Sequence, residues 1–206
     1  TQTLTDQTLA TLDQTMLEPT QLTHERQLEL QAQFKRFLAA VGDPTPYRIE
    51  FRAMKGRAAN AFALPAGVIV ITDGLVHLAE DDREIVAVLA HECGHVQHRH
   101  TLRAVLQNSA VFVVLALVTG DVSSATAFGS ALPTFLLQSR FSREFEREAD
   151  AHAVEQLRRG GLDPSHLARI LGRLSRSQGG GESEIMAYLR SHPPTPERIE
   201  AIEGKR

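Results

Sequence analysis

Apolar residues recur at helical spacing from the start of the chain. Leu9, Leu12 and Met16, then Leu28, Leu30, Phe34, Phe37 and Leu38, predict two helices over 4–17 and 23–40, with Pro19 and Gly42 marking their ends. The period then changes. Residues 47–54 alternate apolar and polar side chains as a half-buried strand does, while 61–64 and 68–72 are short apolar runs punctuated by Pro65 and Gly67. These runs predict a small antiparallel sheet, closed by Asp73-Gly74 and followed by a turn of helix over 75–79. Helical spacing resumes at Asp81-Asp82, acidic residues suited to the positive end of a helix, and Ile85, Val86, Val88 and Leu89 bury one side of it.

A second long helix is expected over 139–159, ended by Gly160-Gly161, and Asp163-Pro164 opens a third with proline at its first position. Residues 177–182 read as a glycine-rich loop, followed by a short helix to Arg190, a proline-punctuated turn from His192 to Pro196 and a last helix from Glu197. Between Arg103 and Arg140 the only charged residue is Asp121, and 110–118 is an unbroken apolar run. A spanning helix needs about 20 apolar residues. Polar Gln107, Asn108, Ser109, Ser123 and Ser124 interrupt this one, which favours a buried helical hairpin over a membrane-inserted one. The order of helices, small sheet and helices predicts an α+β fold. One domain over 1–206 is expected, with N-terminal helices over 1–42, the sheet and its edge strand over 43–80, and a helical part over 81–206.

Composition narrows the function. With 42% apolar residues the chain can bury a core without disulfides, and its single cysteine, Cys93, allows no internal one. Its 22 basic and 25 acidic side chains give a mixed net charge of -3, without the basic footprint of a nucleic-acid binder, so no nucleic-acid partner is expected.

The chemistry concentrates in His91-Glu92-Cys93-Gly94-His95, an HEXXH pattern inside a helix that the flanking apolar period predicts independently. Residues four apart share a helix face, so His91 and His95 can aim at one zinc ion. Glu92, rotated by about 100°, stands beside the metal as a general base for a zinc-activated water. Cys93 faces away and reads as a core residue. His98 comes round to nearly the face of His91, while His24, His77, His100, His152 and His166 read as ordinary surface or packing residues.

A third ligand decides the class. The metzincin pattern asks for Gly and His at positions that here hold His98 and Thr101, so it fails. A gluzincin takes a glutamate from a later helix, and 140–159 offers Glu144, Glu146 and Glu148. Phe141, Phe145, Ala149 and Ala153 form the inward stripe, with Glu146 and Asp150 one step round from it; Glu144 and Glu148 interleave with Arg143 and Arg147 in an exposed charge pattern. Glu146 is therefore the expected ligand. Small Ala149, Ala151 and Ala153 let the two helices approach, and Asp150 can accept the free ring N–H of His91.

Four blocks in order carry a resemblance that covers most of the chain from about Asn60. They are Asn60-Ala61-Phe62-Ala63-Leu64-Pro65 with Gly67 and Thr72-Asp73-Gly74; His91 to His95; Ser142-Arg143 with Glu146 to Asp150; and Ser191-His192-Pro193-Pro194-Thr195 with Arg198-Ile199. Together they resemble the gluzincin zinc metallopeptidases that include HtpX, the CAAX prenyl endopeptidase, BepA and LoiP. The resemblance implies a mostly helical zincin-like domain with its small sheet beside the HEXXH helix, one Zn²⁺ per chain, and Glu146 as third ligand, in agreement with the helical faces. It points to His192 as a donor to the developing oxyanion, with Arg198 positioning it, and to Asn60, Ala61 and Phe62 as an edge strand that takes substrate. It implies an endopeptidase acting on unfolded or misassembled polypeptides of the cell envelope, in the periplasm or anchored to a membrane facing it, with surface contact through 104–139. The alternative it allows is a latent zinc-binding, chaperone-like holding module closed by His192.

Overall fold

The computed structural model describes residues 2–107, 141–176, 188 and 192–204. The apolar hairpin expected over 104–139, with its membrane contact, lies beyond residue 107 outside the described residues, as does the loop expected over 177–182. Helix α1 (Gln2–Thr15) is followed by strand β1 (Leu17–Pro19) and helix α2 (His24–Val41), then by β2 (Arg48–Met54), β3 (Ala61–Ala63) and β4 (Val68–Thr72). Helices α3 (Asp73–Leu78), α4 (Asp82–Gln97), α5 (Arg143–Arg159), α6 (Ser165–Arg176) and α7 (Pro196–Glu203) complete the α+β arrangement. Helix α5 starts later than the expected residue 139, at the point where Ser142 caps it by accepting from the Phe145 N–H.

The sheet order is β1-β2-β4-β3, and the sheet is mixed rather than wholly antiparallel. Strand β3 turns back on β4 with Ala61 opposite Ile71, through a tight turn in which Gly67 takes φ 77°. Only one edge of β4 is then left for β2, which reaches it running the same way, Arg48 beside Val68 and Arg52 beside Thr72. Leu17, expected as the last residue of the first helix, opens instead an antiparallel edge strand, Leu17–Pro19, on β2. Pro19 is tolerated there because an edge strand need not donate outward.

Alternation along β4 separates two hydrophobic layers. Val68 and Val70 face Leu9 and Leu12 of α1, whereas Ile69 and Ile71 face the main core with Phe34 and Phe37 of α2 and Ile85, Val88 and Leu89 of α4. Helix α4 is therefore buried all round from Glu84 to His95. Its start is fixed by Arg26 and Gln33 of α2, which reach Asp82 Oδ2 at 2.8 and 2.6 Å.

Helices α4 and α5 approach unusually closely at Gly94. A Cβ there would lie 2.8 Å from Ala149 Cα and 3.1 Å from its carbonyl oxygen, so only glycine permits the crossing. Ala149 and Ala153 are fully buried at this contact. Ala151, also expected to ease the approach, is exposed, because it lies on the outer side of α5.

Candidate metal centre

The four-residue spacing on α4 brings His91 Nε2 and His95 Nε2 to 3.1 Å. From α5, Glu146 Oε1 lies 3.5 Å from His95 Nε2, and Oε2 lies 3.6 Å from His91 Nε2. His192, from the turn before α7, adds Nδ1 at 3.0 Å from Glu146 Oε1 and 3.4 Å from His91 Nε2. All four side chains are buried, and one donor atom from each falls within 4.8 Å of the others, a group able to hold a metal ion. Glu144 stays exposed, as the charge pattern predicts, whereas Glu148 is half-buried and lies outside the donor group. Cys93 belongs to the main core, where burial pushes its thiol well above its ordinary value.

A second layer holds these groups. Asp150 Oδ1 stands 3.0 Å from His91 Nδ1. Arg198 takes the same carboxylate in a fork, Nε to Oδ2 at 2.7 Å and Nη2 to Oδ1 at 2.8 Å. Its Nη1 donates to the Pro193 carbonyl at 2.9 Å, which ties down the residue after His192, and lies 2.7 Å from Glu146 Oε2. Burial works against the Asp150 charge, but Arg198 and His91 outweigh it and hold the carboxyl at about 2. Burial likewise opposes ionised Glu146, which His192, His91 and Arg198 nonetheless keep below its ordinary value. Burial and its histidine neighbours push His95 well below its ordinary value, leaving it a neutral imidazole with a lone pair to give.

Glu92 differs from the other carboxylates. It is fully buried, neither oxygen has a hydrogen-bond partner among the described residues, and burial pushes its pKa up to about 8. His192 Nε2 lies 3.6 Å from Glu92 Oε1.

Ala61 and Phe62 lie on β3, an edge of the sheet that packs on α4, and Asn60 immediately precedes it. The Thr72 N–H bonds to the Asn60 carbonyl at 2.9 Å and the Leu64 N–H to the Val68 carbonyl at 2.7 Å, so even-numbered residues face β4. The alternation leaves Ala61 and Ala63 to face the open edge. Thr101 Oγ1 already reaches the Ala63 carbonyl at 3.3 Å.

Three contributors escape a reading of the sequence. Gly94 permits the close approach of the two helices that carry His91, His95 and Glu146 of the donor group. His100 is fully buried, with Nδ1 3.0 Å from His95 Nδ1 and Nε2 2.9 Å from Glu148 Oε2, instead of being an ordinary surface or packing residue. Glu148, expected to be solvated, anchors it. The helical wheel cannot find His100, because α4 ends at Gln97 and Arg99 takes a left-handed φ of 52°, which swings His98 out and His100 in.

The family model described as "Peptidase family M48" matches residues 24–206. Among curated proteins, the metalloprotease LoiP of Escherichia coli is 31% identical over 169 residues, 80% of this chain and 64% of LoiP. The mitochondrial metalloendopeptidase OMA1 of Schizosaccharomyces pombe is 26% identical over 180 residues, 87% of this chain and 53% of OMA1. The β-barrel assembly-enhancing protease of Escherichia coli is 29% identical over 150 residues, 68% of this chain and 31% of that protein. The chain thus spans about a third to two thirds of the length of these relatives. A match that leaves out only the first 23 residues is one of whole architecture as well as motif, and the chain belongs to peptidase family M48.

Proposed function

We propose that residues 1–206 act as one catalytic unit that hydrolyses internal peptide bonds, with His91, His95 and Glu146 holding one Zn²⁺ and Glu92 as general base. The donor set suits that ion. Bonds of about 2.0–2.2 Å in a tetrahedral site put ligand atoms about 3.3–3.6 Å apart, and the separations between the three candidate ligands are 3.1, 3.5 and 3.6 Å. Bound zinc supplies Lewis acidity toward a water and the scissile carbonyl. Glu92 carries the proton from that water to the leaving amine. The observation that carries this reading is its pair of buried oxygens, without a hydrogen-bond partner among the described residues, beside the donor group.

His192 presents Nε2, which also has no hydrogen-bond partner among the described residues, toward Glu92, an orientation suited to donating to a developing oxyanion. Arg198 positions it through the Pro193 carbonyl. Substrate adds to the open edge of β3 beside Ala61, with Asn60 and Phe62 fixing that strand from within. The substrates are unfolded or misassembled polypeptides, and the site of action is the cell envelope, periplasmic or at a membrane surface; the name of the β-barrel assembly-enhancing protease supports that setting. No helix of the described residues is long and apolar enough to cross a membrane.

The test is cleavage of casein by zinc-loaded protein beside Glu92→Gln and a chelated sample. Cleavage by the parent alone supports the assignment, while equal cleavage by Glu92→Gln removes Glu92 from it. One observation favours a second reading: His192 Nδ1 falls within the donor group itself, as it would in a latent holding module closed by this residue. His192→Ala separates the two, since it loses activity if His192 serves the oxyanion and gains activity if His192 is a latch.

A further inference from the structure

We infer that His100 and Glu148 are positioning residues for the metal ligand His95, fixing which of its ring nitrogens is free to bind; the inference rests on the zinc reading above. The reasoning concerns where protons can sit. Ionised Glu148 can only accept, and its Oε2 receives Arg103 Nη1 at 2.8 Å and His100 Nε2 at 2.9 Å. His100 therefore carries its proton on Nε2 and leaves Nδ1 bare. That bare nitrogen lies 3.0 Å from His95 Nδ1, which must then be the donor. With its proton on Nδ1, His95 keeps a lone pair on Nε2, the atom 3.1 Å from His91 Nε2 and 3.5 Å from Glu146 Oε1. Donors run in one direction, from His95 to His100 to Glu148.

The relay is held rigidly. His100 stacks on Phe145 at 4.4 Å with an interplanar angle of 6°, and Arg103 lies 4.3 Å from the centre of the Phe145 ring while bonded to Glu148. The left-handed Arg99 turns the chain so that His100 reaches back to the helix it has just left. The two ligand histidines thus receive different support: His91 meets the buried Asp150 carboxylate directly, and His95 meets the partly exposed Glu148 through one intervening imidazole.

His98, His100 and Glu148 also converge closely enough to hold an ion of their own. Such an ion would need the lone pair of His100 Nε2. The proton of His100 would then move to Nδ1 and face the Nδ1 proton of His95. An ion in the outer group and an ion on His95 therefore oppose each other, and the relay predicts one tight zinc equivalent per chain.

The experiment is zinc binding by competition with a chromophoric chelator, on parent, His100→Leu, His100→Gln, Glu148→Ala and His98→Ala, with the melting temperature of each zinc-free protein recorded. Removing the support of a ligand histidine is expected to weaken zinc binding by about 10–100-fold in His100→Leu. His100→Gln, whose amide oxygen can still accept from His95 Nδ1, is expected to recover much of that loss, which a filling role alone would not explain. Glu148→Ala, at a partly exposed position, is expected to weaken binding without a large drop in melting temperature, and His98→Ala to leave it unchanged. If the parent binds no zinc, the zinc reading itself fails. If the parent binds zinc and both His100→Leu and Glu148→Ala match it, the relay is overturned. A second tight equivalent lost in His98→Ala would also overturn it, in favour of an outer metal site.

Discussion

Gly94→Ala tests whether the distance between two helices sets the metal centre. The added Cβ would stand 2.8 Å from Ala149 Cα, 3.1 Å from Ala149 O and 3.2 Å from His152 Cβ, and two of these three atoms are backbone. Restoring an ordinary contact of about 3.6 Å requires α4 and α5 to part by about 0.8 Å. Glu146 sits one turn before Ala149, so the same movement carries its 3.5 Å separation from His95 Nε2 to about 4.3 Å. Two bonds of about 2.1 Å span at most about 4.2 Å, so one ion no longer reaches both atoms. Overpacking of this kind costs about 1–3 kcal/mol, or about 3–10 °C in melting temperature for a chain of this size. The assay is zinc affinity by chelator competition together with thermal unfolding of the metal-free protein, and zinc affinity should fall at least about 10-fold. Gly172→Ala serves as the control, because its added carbon meets only a flexible Arg176 nitrogen at 3.4 Å. Parental affinity and melting temperature in Gly94→Ala would refute the argument from approach distance.

Three further outcomes are expected. Arg198→Gln strips the fork from buried Asp150 and should cost about 3–5 kcal/mol in urea unfolding, with part recovered in the Asp150→Asn double variant; a loss near zero would mean that the pair is not coupled. Asp82→Asn should cost about 1 kcal/mol at neutral pH, the pair with Arg26 being partly exposed. Arg26 holds the Asp82 carboxyl below its usual value, so this stability is present above the unfolded pKa and lost as pH falls through the folded one; parent and variant should converge in acid, and a difference that grew in acid would reverse the sign. Chelation of zinc-loaded protein should lower its melting temperature, since an ion held by the folded donor group stabilises by about 4 kcal/mol when present at 1,000 times its dissociation constant; scans that coincide would remove metal from the folded state.

Much of the fold was legible because it is written locally. The apolar period placed α2, α4 and α5 within a few residues, and the interleaved charges of α5 separated Glu146 from Glu144 and Glu148. Pairing between distant segments was not legible. Nothing in Leu17–Pro19 announces that it will lie along the end of β2, nor does any local signal show that β2 pairs with β4, in parallel, across the edge that β3 leaves free. His100 was missed for a related reason: helical spacing extrapolates only while the helix lasts, and the turn at Arg99 resets the geometry. Nothing in the HEXXH pattern marks Gly94, whose position within it is open to any residue, although the absence of a side chain there is what α5 requires.

The donor group joins residues far apart in the chain, His91 with a partner 101 positions later, and its outer brace waits on Arg198. A ribosome adding about 5–20 residues per second needs about 5–20 seconds to make the stretch between His91 and His192. During that interval the first two histidines exist without their full set of companions. Completion of the four-residue donor group is thereby tied to arrival of the last turn and helix, so the group closes only when nearly the whole chain has been made.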